Sequence, residues 1–260
     1  MSLVLIPQLA PTENARRTKT LSKLRLDQML VNRKLVGTRS QAENYIKLGE
    51  VVVNQRVIKK PGYFVHETDE INLTANERYV SRAGLKLASI AQAFKLEFKH
   101  TIVLDVGSST GGFTDYALQH GAKKVIAVDV GTDQLHPSLH NDDRIELRER
   151  TDIRSVKSLD NTPDIVVIDV SFISLREVLP HIATLCSAKT KIVAMMKPQF
   201  ETGADAKHKG VIKNERLRRD TLRDFEEWAR KRFVVLEKAD SKVSGSKGNT
   251  ERFYLLTPQR

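Results

Sequence analysis

The chain has 260 residues, 40% of them apolar, enough to bury a sizeable core in one large domain or in a medium one with an appendage. Its 43 Lys and Arg stand against 32 Asp and Glu, a formal charge of +11 that points to a polyanionic partner such as nucleic acid, or to a merely basic surface. One cysteine, Cys186, excludes an internal disulfide and a cysteine-ligated zinc cluster and suits a reduced, cytoplasmic home without a metal site, and the apolar run "LVLIP" is too short for a membrane span or a signal peptide.

Residues 1–20 are polar and basic, with Pro7 and Pro11, and read as an unstructured arm. Order is expected over 21–73. Leu26, Met29 and Leu30 share a helical face, Ser40 is placed to cap a second helix carrying Ala42, Tyr45 and Ile46, and Gly49 ends it. Short strands follow around Val51–Val53, Val57–Ile58 and Ile71–Leu73. Arg25, Arg33, Lys34, Arg39 and Lys47 decorate the helices, where they would follow a phosphate backbone or simply form a solvated face. The string "RLDQMLV…TRSQAENYIKLGEVVVNQRVIKKPGYFV" resembles the small S4-type RNA-binding module of a small-subunit ribosomal protein, which implies a structured RNA partner without naming a reaction. The polar segment 74–80, "TANERYV", reads as a linker to the remainder, 81–260.

From Ile102 the chain alternates strands and helices. Strands are expected at Ile102–Val106, Lys124–Val130, Ile145–Arg150, Asp164–Val170, Lys191–Met196, Phe233–Ala239 and Arg252–Thr257. That order predicts an α/β fold, a mainly parallel sheet covered by helices on both faces, with the last two strands as an antiparallel hairpin at one edge. It is similar to the Rossmann-like seven-stranded sheet of methyltransferases, here behind a small N-terminal α+β RNA-binding domain.

The first turn of this region is "DVGSSTGGFT". It lacks the G-x-G-x-x-G spacing of dinucleotide sites, which weakens a pyrophosphate reading, yet Gly107, Gly111 and Gly112 still allow close backbone approach at a helix N-terminus. Asp105 at the strand end would place a carboxylate near the ligand, tolerated better by a cationic sulfonium than by a pyrophosphate. Asp129 ends the next strand, where an acid conventionally takes ribose hydroxyls, and Asp152 after the third is placed to accept from an adenine amino group. S-adenosyl-L-methionine is therefore the expected cofactor, with Asp105, Gly107, Ser108, Ser109, Thr110, Gly111, Gly112, Phe113, Asp129, Val130, Asp152 and Ser171 as its candidate contacts.

The strings "YVSRAGLKL", "LDVGSSTGGFTD", "AVDVGTDQL", "ERTDIR", "PDIVVIDVSFISL", "MMKPQFE" and "GNTERF" resemble the TlyA family of ribosomal RNA 2′-O-methyltransferases, whose catalytic domain is FtsJ-like. The chain departs from the family at Ala83, where a glycine is common, and at Thr132 and Asp133, where tyrosine-glycine is common, which bears on the ribose-side contact. The resemblance implies a Lys-Asp-Lys-Glu catalytic set, falling on Lys86, Asp169, Lys197 and Glu251, and methylation of cytidine in small-subunit RNA, large-subunit RNA or both; the substrate is free RNA, ribosomal subunits or assembled ribosomes. Asp169 and Lys197 are also found without it: each follows a strand, at the carboxyl edge where open α/β sheets put ligands, although a surface salt bridge would look the same. Lys86 rests on the resemblance alone, and Glu251 reads equally as an edge-strand charge.

A ribose hydroxyl is a poor nucleophile, so one proton must be managed. Lys197 would act as general base if neutral or orient the hydroxyl if charged; a base role needs a pKa depressed from about 10.4, by partial burial and the cation Lys86. Asp169 and Glu251 would position the lysines, and Ser171 and Phe172 shape the pocket, Phe172 reading equally as core. Three other functions compete: a non-catalytic RNA-binding or ribosome-assembly factor, a membrane-lytic hemolysin, for which no transmembrane or long basic amphipathic helix is seen, and an NAD-dependent oxidoreductase, for which no hydride-transfer site accompanies the turn.

Overall fold

Strands that read IVLDV, KVIAV, IVVI and KIVAMM are apolar on both faces, a pattern that is stable only when both faces are covered. In the computed structural model, which describes residues 23–36, 39–73, 79–202, 212, 214–243 and 250–259, they form the centre of a seven-stranded sheet. The arm expected over 1–20 and residues 74–78 of the expected linker lie outside the described residues.

The small N-terminal unit consists of β1 (Lys23–Arg25), α1 (Leu26–Asn32), α2 (Arg39–Leu48), β2 (Val51–Val53), β3 (Arg56–Val57), β4 (Phe64–His66) and β5 (Ile71–Leu73). Its strands pair as a β1–β4 ribbon and a β3–β2–β5 sheet. Leu26, Leu30, Ala42 and Ile46 are buried between the helices and strands, as their spacing requires. Three local expectations are corrected. Ser40 is the second residue of α2 rather than its cap; β3 is Arg56–Val57 rather than Val57–Ile58; and β1 and β4 were not anticipated, because three-residue strands are too short to show alternation.

The larger unit follows as α3 (Arg82–Ala91), β6 (Ile102–Val106), α4 (Gly112–Gln119), β7 (Lys124–Val128), β8 (Ile145–Arg148), β9 (Ile165–Ile168), α5 (Leu175–Thr184), β10 (Lys191–Met196), α6 (Glu215–Arg230), β11 (Phe233–Asp240) and β12 (Arg252–Pro258). The sheet order is β11-β12-β10-β9-β6-β7-β8, with β12 the one antiparallel strand. Alternation along the strands separates two cores. Val103, Val125, Val167, Val193 and Phe253 face α3 and α4; Leu104, Ile126, Ile168, Ala194 and Tyr254 face α5 and α6. The hairpin expected at one edge is present, but β11 is the outer strand and β12 lies inside the sheet, beside β10. Glu251, just before β12, is therefore not an edge-strand charge; it is 3% exposed. Cys186 is partly buried against the α5–α6 core, and burial pushes its thiol up to about 12.

Candidate active site

The order of β6, β7 and β9 makes the carboxyl ends of β6 and β9 the switch point of the sheet, where one connection runs to each side and a crevice opens. The cavity there has a volume of about 350 Å³, within the range of small-ligand sites, and its walls include Gly107, Ser109, Asp129, Asp152, Asp169 and Ser171. Two of its backbone conformations are costly for ordinary residues: Ser109 and Phe172 hold φ +46° and +66°. Gly107 at φ +81° lets the turn run against the carbonyl of Asp169, where a Cβ would lie 2.7 Å from that oxygen.

The candidate donor contacts divide sharply. Asp129 lies just past β7, its carboxylate accepting from the N–H groups of Ser109 (2.8 Å) and Gly131 (2.7 Å), so that it ties the glycine turn to the next loop at the crevice wall. Asp152 accepts from Arg154 N–H (2.9 Å) and pairs with its guanidinium (2.7 Å), which holds its carboxyl below the ordinary range. Val130, 72% exposed, lines the opening. Asp105, Ser108, Thr110, Gly111, Gly112 and Phe113 are not among the walls of the cavity. Gly111, at φ +87°, starts α4 against Leu135 and Leu139; Gly112 packs on α3, where a Cβ would meet Ala83 at 2.8 Å; and Phe113 is buried against Phe253. At the two departures from the family, Thr132 donates to Glu149 (3.2 Å), and Asp133 takes φ +53°, where the glycine common in the family would sit without strain.

Asp105 is placed differently from the expectation. Alternation along β6 turns it toward α4, where it is fully buried and accepts from the Thr114 hydroxyl at 2.7 Å. Burial, with Asp169 and Asp129 nearby, raises its carboxyl to about 7. The folded state thus keeps a proton that the unfolded chain releases near pH 4. Stability is expected to fall between pH 4 and 7, by up to about 1.4 kcal/mol per pH unit, and to level off above pH 7. Urea unfolding at pH 5, 6 and 7.5 checks this: Asp105→Asn should flatten the slope, and an unchanged slope would assign it to other groups.

The four candidate catalytic residues come together as two ion pairs. Lys197 Nζ, one residue past β10, lies 2.6 Å from Asp169 Oδ1, one residue past β9, and donates to Ser171 Oγ at 2.6 Å. Lys86 Nζ on α3 lies 3.0 Å from Glu251 Oε1, with side chains 12% and 4% exposed. Met196 pairs with Arg252 across β10 and β12, so one further step along each strand sets Glu251 beside Lys197. Among the described residues, Glu251 Oε2 has no hydrogen-bond partner, leaving a buried acceptor on this cluster.

One buried residue missed from the sequence braces the loops beside the site. Glu201 accepts from the Ser174 hydroxyl and the Leu175 N–H, both at 2.6 Å, and its side chain is 1% exposed; burial raises its carboxyl above the ordinary value. It takes the first N–H of α5, whose N-cap is Ser174, and so staples the loop after Lys197 to the loop after Asp169. The signal was an acid closing the run "MMKPQFE".

In the small unit, the candidate RNA contacts are partly committed to the fold. Arg25 and Arg39 both pair with buried Asp27, at 2.8 and 2.9 Å. Burial would raise the Asp27 carboxyl, but the two guanidiniums hold it below its usual range. Arg33 donates to the carbonyls of Glu67 and Asp69 at 2.7 and 3.0 Å. Lys34 is exposed, at φ +57°, and Lys47 is exposed on α2, 3.9 Å from Glu43.

Residues 79–257 match the FtsJ-like methyltransferase family, and residues 24–71 match the S4 domain. The 23S rRNA (cytidine-2′-O)-methyltransferase TlyA of Campylobacter jejuni is 35% identical over 93% of this chain and 94% of its own length. The 16S/23S rRNA (cytidine-2′-O)-methyltransferase TlyA of Mycobacterium tuberculosis is 37% identical over 91% of each chain. A solved structure of a hemolysin-named protein from Streptococcus thermophilus is 36% identical, covers 92% of this chain and 90% of its own, and superposes with a TM-score of 0.68.

Proposed function

The chain belongs to the FtsJ-like methyltransferase family, and from that premise we propose that it transfers a methyl group from S-adenosylmethionine to a ribose 2′-hydroxyl, that of a cytidine, in 16S or 23S ribosomal RNA or both. The observation that carries this reading is Lys197 Nζ held between Asp169 and Ser171, two residues that line the crevice.

The crevice suits the donor in chemistry: the Asp129 and Asp152 carboxylates favour ribose hydroxyls, an amino group and a positive charge, and the bare backbone of Gly107 permits close approach. When bound, S-adenosylmethionine supplies an electrophilic methyl on a sulfonium. The protein's own part lies on the acceptor side. Lys197 orients the ribose hydroxyl and Asp169 fixes Lys197, while Glu251 fixes Lys86 behind them. Alignment of donor and acceptor supplies most of the acceleration, and proton handling about 10²–10⁴-fold. Phe172, 92% exposed and 5.2 Å ring to ring from Phe200, lines the crevice with Asp169 and offers an aromatic ring for the base that carries the ribose. Among the described residues no helix is long and apolar enough to cross a membrane.

Single-turnover incubation of ribosomal subunits with labelled donor, followed by mass spectrometry of nuclease fragments, tests the reading. A single methyl retained on one ribose is expected; a methyl on a base, or none, overturns it. The RNA-binding role of the small unit is tested by salt. Lys34→Ala with Lys47→Ala should lower the slope of log affinity against log salt by about 1–2 and leave donor affinity unchanged. An unchanged slope would remove these lysines from the interface.

A further inference from the structure

The β1–β4 ribbon has two unlike faces. Its antiparallel register is Lys23↔His66, Leu24↔Val65 and Arg25↔Phe64. Directly opposed residues share a face and successive pairs alternate, so Leu24 and Val65 point inward while Arg25 and Phe64, with Lys23, point outward together; His66, opposite Lys23, is half-buried. Val65 is fully buried, whereas Phe64 is 60% exposed, Lys23 is exposed and the Arg25 side chain is 37% exposed. Arg25 is held in place by two bonds to Asp27, at 3.0 and 2.8 Å. Arg39 draws on the same buried carboxylate and also lies 3.8 Å from Glu43, itself 3.9 Å from Lys47, so this network of three cations and two acids keeps a net positive charge. Tyr63, next to Phe64, is 43% exposed, and Lys59 and Lys60 are exposed just before it. Phe64 stacks against none of the described rings.

We propose that the outward face of this ribbon is a stacking site for an unpaired RNA base, with Phe64 as the platform and Lys23 and Arg25 as contacts to the flanking phosphates. An aromatic face among cations is how proteins hold single-stranded nucleotides: stacking accepts any base, and the cations follow the backbone. Between Lys23 and Leu73 nine Lys and Arg stand against six Asp and Glu, a charge complementary to RNA. A lipid surface would need a broader apolar face, whereas here the cross-strand neighbours of the ring are charged or half-buried. The proposal deepens the ribosomal RNA reading above and rests on it.

The test uses the full-length chain with Phe64→Ala, Phe64→Leu and Phe64→Trp, each checked for an unchanged melting temperature. The probes are a single-stranded oligocytidine of about twelve nucleotides, a duplex of the same length and phosphatidylserine vesicles. Phe64→Ala should weaken single-strand binding roughly 5- to 150-fold without changing the salt slope, and affect the duplex little. Phe64→Trp should restore affinity, with tryptophan fluorescence quenched by the single strand beyond the background of Trp228, while Phe64→Leu should not restore it. Full affinity in Phe64→Ala, or full rescue by Phe64→Leu, overturns the stacking site; so does binding to vesicles, lost in Phe64→Ala, without binding to RNA. If the parent chain methylates ribosomal RNA and binds it with a normal salt slope while Phe64→Ala matches it, this site alone is wrong. If the parent neither binds nor methylates RNA, the underlying reading falls with it.

Discussion

Lys197→Ala is expected to slow methyl transfer by about 10²–10⁴-fold at saturating donor while donor affinity stays within a few-fold. The reason is positional: Lys197 follows β10 and is held by Asp169 and Ser171, and Gly107, Asp129 and Asp152 form the part of the crevice assigned to the donor. Lys197→Arg should fail as well. A guanidinium is fixed in charge, and its planar fork does not fit a point contact 2.6 Å from both a carboxylate and a hydroxyl. Asp129→Ala is the contrasting variant. It frees the N–H groups of Ser109 and Gly131 and should weaken donor binding first, leaving single-turnover chemistry largely intact once donor saturates. Calorimetry and single-turnover rates on the three variants check these outcomes. Turnover of Lys197→Ala at the parent rate would end the four-residue mechanism while leaving the family membership untouched.

Glu251→Ala should be the most destabilising of the site substitutions. It removes the carboxylate from Lys86, a cation whose side chain is 12% exposed, and breaking a buried pair from one side costs about 3–5 kcal/mol. For a unit of this size that lowers the melting temperature by roughly 10 °C. Lys86→Ala should cost a similar amount, since it strands Glu251 at 4% side-chain exposure. The double variant should be cheaper than the two singles added together, because it leaves no unpaired charge. Thermal and urea unfolding of the cycle measures the coupling, and simple additivity would show that the pair is not energetically linked. Both singles should also lose methyl transfer, and Glu251→Gln separates the two effects: it retains a hydrogen-bond acceptor for Lys86 but not the charge, and should recover part of the stability but not the activity.

Much of the candidate catalytic edge was legible from local pattern. Asp169 and Lys197 each end a run of consecutive apolar residues, so a buried parallel strand followed by a polar group could be read directly from "IVVID" and "IVAMMK". The same reasoning found Asp129 and Asp152, which the structure sets on the crevice wall. Asp105 shows where the reading stopped short. Its place near the strand end suggested a ligand contact, but period-two alternation with Leu104 and Val106 already turned it to the opposite face, toward Thr114. Glu201 was visible as an acid after "MMKPQF", yet nothing local says that its carboxylate crosses to α5.

By itself, then, the sequence determined which segments of the larger unit are strands, which of their faces are apolar, and that glycine stands where the turn after β6 needs φ +81°. These follow from short-range rules of period, burial and backbone sterics, which act within a few residues. Tertiary structure alone decided that β12 enters between β10 and β11, that Glu251 is therefore interior, and that it meets Lys86 from a position 165 residues away. It alone decided that Arg25 stands opposite Phe64, 39 residues away in the chain, on one face of a ribbon. Strand order and cross-chain pairing are set by the closing of one shared core, and no local periodicity encodes which distant segment will lie alongside.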